Sequence, residues 1–288
     1  MSAEKNAPRG DKTPEKTVNK NLNKSAAKYG GKIRILVLGA CGKMGKTVLS
    51  LLETDAYAKA VCGVDSRAEE YAGTQNGTPP VPVYATFKNV REKADVIIDF
   101  SSARDVETRL KYAKDKRMGI VLAPTGFNRA DDEIIAYYAK YVPVFRAANL
   151  SLGANLLQNL CKIARRTLGE TFDAEIVEKH HRTKKDAPSG TALALAETIK
   201  NASANDAFFT LSRSGEHCLR KRGEIGIHAV RGGTFAGEHE VIFAGDDETL
   251  ILTHVAASRK IFANGALFAA RFLAEKTAGL YGMDDLLL

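Results

Sequence analysis

Apolar positions along this chain follow two regimes, and the change between them lies near residue 150. In the first, short apolar runs alternate with stretches of helical spacing. Ile33–Leu38 has strand length, and Lys43–Glu53 places Met44, Val48, Leu51 and Leu52 on one helical face. Lys59–Asp65 is a second strand that ends in an acidic residue. Residues 66–93 are mixed, with a loop expected from Gly73 to Pro82. Asp95–Phe100 then predicts a strand, Ala103–Lys116 a helix, Met118–Ala123 a strand, Asp131–Tyr141 a helix and Val142–Arg146 a strand. Strands alternating with helices of this length predict a parallel sheet covered on both faces.

After Asn149 the pattern changes. Ser151–Leu168 predicts a long amphipathic helix with Ser151 as its N-cap. Phe172–Lys179 alternates as a strand does, Thr191–Asn201 is helical, and residues 202–223 are polar and irregular. Glu224–Arg231, Glu238–Ala244 and Thr249–Ala256 predict strands, the last two joined by a hairpin at Gly245–Glu248. Strands with no helices between them imply a mixed or antiparallel sheet and a second domain. Lys260–Gly279 returns to helical spacing. The pattern divides the chain into a disordered basic tail (1–31), an α/β domain (32–150), a second domain (151–256) and a closing helical stretch (257–288).

Composition narrows the class. Apolar residues make up 44% of the chain, enough for a core, and no run approaches the ~18–20 apolar residues of a membrane span. Cys41, Cys62, Cys161 and Cys218 are scattered without a CxxC pair, which fits reduced thiols in a cytoplasmic protein. Of the net charge of +8, residues 1–31 carry +4, from seven Lys or Arg against three Asp or Glu. That segment has few large apolar side chains with which to offset the entropy of ordering. Its single aromatic, Tyr29, stands near its end and none is interleaved among the earlier lysines, which argues against a nucleic-acid arm, and it has no apolar stretch of a secretory signal.

Two segments carry candidate chemistry. The first is Gly39, Ala40, Cys41, Gly42, Lys43, Met44 and Gly45, between the first strand and the first helix. Glycines here allow a tight turn and a close approach of backbone to a pyrophosphate, which the helix N-terminus then faces. Cys41 stands where G-x-G-x-x-G would have its second glycine. Asp65, at the end of the second strand, is placed to accept from adenosine ribose hydroxyls, while Arg67 is placed to bind a 2′-phosphate. NADH and NADPH are therefore both open, with NADH slightly favoured. Ala123, Pro124 and Thr125, and Ala147, Ala148, Asn149 and Leu150, follow later strands and are expected to line the nicotinamide pocket.

The second segment is Glu178–Ala192, which reads Glu-Lys-His-His-Arg-Thr-Lys-Lys-Asp-Ala-Pro-Ser-Gly-Thr-Ala. His180 and His181, adjacent on a strand, should point apart. A histidine near neutral pKa moves protons, a lysine pairs a carboxylate or delivers a proton, and the helix start at Ser189, Gly190 and Thr191 offers backbone N–H groups to an anion. Zinc is a poor alternative, because no third ligand stands at useful spacing.

Residues 178–192 resemble the signature of the 4-hydroxy-tetrahydrodipicolinate reductase (dihydrodipicolinate reductase) family. The resemblance extends over about residues 33–288. It includes the glycine turn, Asp99–Ser101, Thr125–Phe127, Ala147–Asn149, Arg231–Gly233, Gly237–Val241, His254–Arg259 and Phe262–Ala266. It implies a Rossmann-type doubly wound parallel sheet with a second α+β domain on a mixed or antiparallel sheet. It also implies NADH- or NADPH-dependent reduction of a small dicarboxylate in lysine biosynthesis, no metal, and a homotetramer. By position, His180 and Lys184 are the expected proton-transfer residues, and His181, Gly190 and Thr191 the expected substrate contacts. Ser66 follows Asp65 where many relatives have an arginine, and Ala123-Pro124 stands where many have Gly-Thr. A related reductase of another keto or imino acid, and an idle dinucleotide-binding regulator, are the competing readings. An idle descendant has no chemical reason to keep His180, Lys184 and the Ser189–Thr191 helix start together.

Overall fold

The computed structural model describes residues 31–71 and 81–287. The expected disordered tail (through residue 30) and most of the expected Gly73–Pro82 loop lie outside the described residues. Two compact units divide the rest. One runs to Phe145 and takes in Leu267–Leu280, and the other comprises Arg146–Ala266 with the chain from Tyr281 on.

The first unit is built on β1 (Ile33–Leu38), α1 (Lys43–Thr54), β2 (Ala58–Val64), α2 (Ala68–Tyr71), β3 (Val83–Tyr84), β4 (Val96–Asp99), α3 (Val106–Lys116), β5 (Gly119–Leu122), α4 (Arg129–Tyr138) and β6 (Pro143–Arg146). β2 pairs in parallel with β1 and β3, β1 with β4, and β4 with β5. Every residue of β4 and β5 is buried, as in a strand covered on both faces. With β12 (Gly279–Tyr281) at one edge, the sheet order is β12-β6-β5-β4-β1-β2-β3, so the order reverses beside β1, and the carboxyl ends of β1 and β4 open a crevice there.

Local chemistry explains the element ends. Asn128 caps α4 by accepting from Asp131 N at 3.0 Å, while Asp131 answers to Asn128 N at 2.9 Å, so the helix begins before the expected Asp131. Asp105 takes a left-handed conformation (φ 55°), which delays α3 to Val106. The last helix is also shorter than its periodicity predicts. α7 (Lys260–Ala274) ends, Gly279–Tyr281 adds β12 to the edge beside β6, and α8 covers Met283–Leu287.

The second unit holds α5 (Leu152–Leu168), β7 (Asp173–His180), α6 (Gly190–Ala202), β8 (Phe208–Leu211), β9 (Glu224–Arg231), β10 (Glu238–Ala244) and β11 (Thr249–Val255). Its sheet runs β11-β10-β7-β9-β8. β10 is antiparallel to both β11 and β7, whereas β9 is parallel to β7 and to β8. Alternate residues of β7 and β10 are buried, so one face of the sheet carries the core. There Ile176, Ile227, Val241 and Phe243 pack with Leu157 and Cys161 of α5 and Leu195 and Ile199 of α6. β8 lies within the stretch expected to be irregular; as a four-residue edge strand it owes its form to pairing with β9. Ser151 and Ser189 cap α5 and α6, accepting from Ala154 N and Ala192 N, each at 3.2 Å. Among the described residues no helix is long and apolar enough to cross a membrane.

Candidate active site

In the first unit, β1 ends at Leu38 and the chain turns through Gly39 into α1. Gly39 has φ +72°, and a β-carbon on it would lie 2.8 Å from Phe100 O. Gly42 N donates to Gly39 O at 2.9 Å and closes the turn. Gly42 is the N-cap and supplies no side-chain bond, and the first turn of α1 carries no acidic residue, which suits an approaching anion. A groove of about 620 Å³ opens there, lined among others by Gly39, Gly42, Asp65, Arg67, Ser101 and Arg104. The glycine cradle, the uncapped helix start and the basic rim fit a dinucleotide.

Each residue expected at the cofactor has a definite place. Ala40 and Cys41 turn their side chains into the core, so only their backbone is available to a ligand. Asp65 is largely buried. Its Oδ2 accepts from Cys41 N and its Oδ1 from Arg67 N, both at 3.0 Å, so the carboxylate braces the glycine turn as well as ending β2. Lys43 is exposed, and Met44 is half-buried beside the buried Gly45. Ala123, Pro124 and Thr125 follow β5 outside the groove, with Pro124 buried and Thr125 exposed.

The chain Ala147–Leu150 belongs to the second unit. Ala147 is half-buried, Ala148 exposed and Leu150 buried. Asn149, expected at the cofactor, donates through Nδ2 to Thr191 Oγ1 at 3.2 Å and accepts from Ser151 N at 2.8 Å. It thus joins one residue of the expected cofactor set to one of the expected substrate set.

β7 delivers the histidines. Residues two apart on a strand share a face, so Glu178 and His180 point the same way. His180 Nδ1 lies 2.6 Å from Glu178 Oε2. Arg231, paired with His180 in the β7/β9 register, reaches both Glu178 oxygens, at 2.8 and 2.7 Å, and Ser189 N donates to Oε1 at 2.9 Å. Burial opposes the charge on Glu178, but the hydrogen bonds from Arg231, His180 and Ser189 outweigh it and hold the carboxyl below its ordinary range. Across β10, His239 lies opposite Glu178 in register, its Nε2 3.0 Å from Ser189 Oγ and its ring 5.3 Å from that of His180. Burial, aided by the nearby His180, pushes His239 down to about 4. Burial also lowers His254, which stands 3.4 Å from Ser151 Oγ.

A small cavity of about 50 Å³ gathers His180, Thr191, Asn149, Gly237, His239 and His254. His181, Lys184 and Gly190 are not in its lining. His181 Nδ1 contacts Thr183 Oγ1 at 2.8 Å, and Lys184 Nζ donates to both oxygens of Asp186 at 2.8 Å. Gly190 is exposed, with nothing within 4 Å of where a β-carbon would lie. Roles for Glu178, Arg231, Gly237, His239 and His254 were not assigned from sequence, although all lie in segments of the resemblance. Glu178 had a legible signal in its two-residue spacing from His180. Among the described residues, no group of His, Cys, Asp and Glu side chains could hold a metal ion.

Comparison with known proteins identifies the family. The family model described as the N-terminus of dihydrodipicolinate reductase matches residues 33–150, and that of its C-terminus matches residues 153–287. The chain is 44% identical over 255 residues to the 4-hydroxy-tetrahydrodipicolinate reductase of Caldanaerobacter subterraneus subsp. tengcongensis, covering 88% of this chain and 98% of that one. It is 42% identical over 257 residues to the enzyme of the same name from Clostridium novyi, with the same coverage. A solved dipicolinate-bound dihydrodipicolinate reductase from Paenisporosarcina superposes with a TM-score of 0.74 at 24% identity, over 88% of this chain and 99% of that one. A myo-inositol dehydrogenase from Corynebacterium glutamicum shares the fold with a TM-score of 0.56 at 15% identity, over 89% of this chain and 92% of its own. With both of its halves matched, the chain belongs to the dihydrodipicolinate reductase family.

Proposed function

We propose that the chain reduces 4-hydroxy-tetrahydrodipicolinate, through its dehydrated cyclic imine, to tetrahydrodipicolinate in the diaminopimelate route to lysine, using NADH or NADPH. The observation that carries this reading is the pairing in one pocket of a carboxylate-held His180 with Thr191 in the first turn of α6. Bound in the groove of the first unit, the reduced nicotinamide supplies the hydride. The residues of the chain do the rest. Gly39–Gly45 seat the pyrophosphate through backbone N–H groups, Asp65 and Arg67 meet the adenosine end, and Ala123–Thr125 border the nicotinamide.

The first turn of α6 offers Gly190 and Thr191 to a substrate carboxylate, and His181 adds a donor or a positive charge. His180 holds and moves the proton, and Lys184 is its partner in proton delivery once it exchanges Asp186 for the substrate. The dicarboxylate itself supplies the negative charge that a site rich in Lys, Arg and His calls for. In this reading residues 32–150 with 257–288 form the cofactor domain, and residues 151–256 bind substrate and assemble a homotetramer in the cytoplasm.

The test is a coupled assay in which a synthase makes the substrate in situ and loss of reduced nicotinamide is followed with each cofactor. Turnover is expected with at least one of them. Lys184→Ala and His180→Gln should each lower kcat about a hundredfold or more with little change in NADH binding. Measurable NADH binding without turnover would overturn the assignment.

A further inference from the structure

Glu178 has no solvent-exposed surface, yet it meets four donors. Oε2 takes His180 Nδ1 at 2.6 Å and an Arg231 nitrogen at 2.8 Å. Oε1 takes Ser189 N at 2.9 Å and the other Arg231 nitrogen at 2.7 Å. An ionised carboxylate only accepts, so each contact states where a hydrogen lies. His180 must carry one on Nδ1. In the neutral ring Nε2 is then bare, and in the charged ring the Nε2 proton is the one free to leave.

The same carboxylate reaches the N-cap of α6, whose first turn holds Gly190 and Thr191. Arg231 also donates to Asp186 O at 2.8 Å, and Asp186 is the ion-pair partner of Lys184. The histidine, the helix start and the lysine-bearing loop therefore meet at one ion pair.

Only the carboxylate of this pair is fully buried, the Arg231 side chain being 19% exposed, and such a pair is a weak source of net stability, because desolvating the carboxylate cancels much of the attraction. Packing alone thus does not call for this pair, whereas orienting an imidazole does.

We propose that Glu178, clamped by Arg231, is a positioning residue of the reaction: it sets the His180 ring with its hydrogen on Nδ1 and ties that ring to the start of α6. The proposal rests on the reading of His180 as the proton-transfer group.

Two experiments test it. The first is nitrogen-15 NMR of the histidine rings in the wild-type chain above their titration range, with the His180 signals identified by their loss in His180→Gln. The Nδ1–H tautomer is expected, and an Nε2–H tautomer overturns the proposal. The second compares Glu178→Gln with Glu178→Gln/Arg231→Met, which removes both charges and leaves no unpaired buried ion. In the folded variants kcat should fall about tenfold or more with NADH binding unchanged. One limb of the kcat/KM pH profile should move to lower pH by about one unit or more. A folded variant with wild-type kcat and an unmoved limb overturns the proposal, and if neither variant folds the tautomer decides it alone. Absence of wild-type turnover removes the functional reading and the proposal with it, whereas wild-type turnover with an unmoved variant limb removes the proposal only.

Discussion

Gly45 faces the carbonyl oxygen of Gly39 so closely that a β-carbon on Gly45 would lie 2.1 Å from it. Backbone sits on both sides of this contact, so no side-chain rotation relieves it. Gly45→Ala must push α1 away from the turn, at a cost of about 1–3 kcal/mol, and so spoil the cradle. It is expected to lower the melting temperature and to weaken NADH binding more than about tenfold, measured by calorimetry. Gly190→Ala is the contrast, since that position is open. It should leave the melting temperature unchanged and raise KM for substrate.

Gly237 stands directly against the proposed proton carrier. A β-carbon there would lie 3.1 Å from His180 Nε2, at a backbone φ of +150° that suits glycine. Gly237→Ala is expected to displace the ring and lower kcat about tenfold or more, with nucleotide affinity retained. Unchanged kcat would show that Nε2 is not the working atom.

His239 makes stability depend on pH. Its folded value of about 4 lies below the ordinary 6.5 because burial disfavours the charged ring. Below pH 6.5 the unfolded chain binds a proton that the folded chain refuses. This contribution to stability is therefore full above about pH 6.5, declines as pH falls, and is lost by about pH 4, an amount on the order of 3 kcal/mol. Urea unfolding across this window should show a smaller slope for His239→Gln than for wild type.

The adenosine end has a divided prediction. Because Asp65 accepts from Cys41 N as well as from Arg67 N, Asp65→Ala should weaken both cofactors by loosening the turn. Arg67 is half-exposed on its side chain and rims the groove. Arg67→Ala should raise KM for NADPH about fivefold and leave KM for NADH nearly unchanged. A fall in NADH affinity as large as that for NADPH would argue against a phosphate role for Arg67.

Much of this was legible in the chain because it is local. The glycine turn, the serine caps at Ser151 and Ser189, and strands β9 and β10 follow from spacing within a few residues. What escaped depends on partners far away in sequence. Strands β8 and β12 are short edges whose pairing with β9 and β6 leaves no periodic trace. Arg231 reaches Glu178, and His239 reaches Ser189 and His180, only through the registers of β9 and β10 on β7. Asn149 was assigned to one ligand by its place after a strand, while its side chain bonds Thr191, forty-two residues on.

β7 sits between β9 and β10, and Glu178 and His180 occupy alternate rungs of it. Slippage by a single residue would turn Lys179 and His181 to the side these two now hold, and would expose the core face of Ile176 at the same time. Strand alignment and the proposed proton chemistry are therefore inherited as a single character. A one-residue insertion or deletion within β7 cannot be a mild variant, whereas the Gly245–Glu248 hairpin, remote from both rungs along the ladder, is free to change length as the lineage diverges.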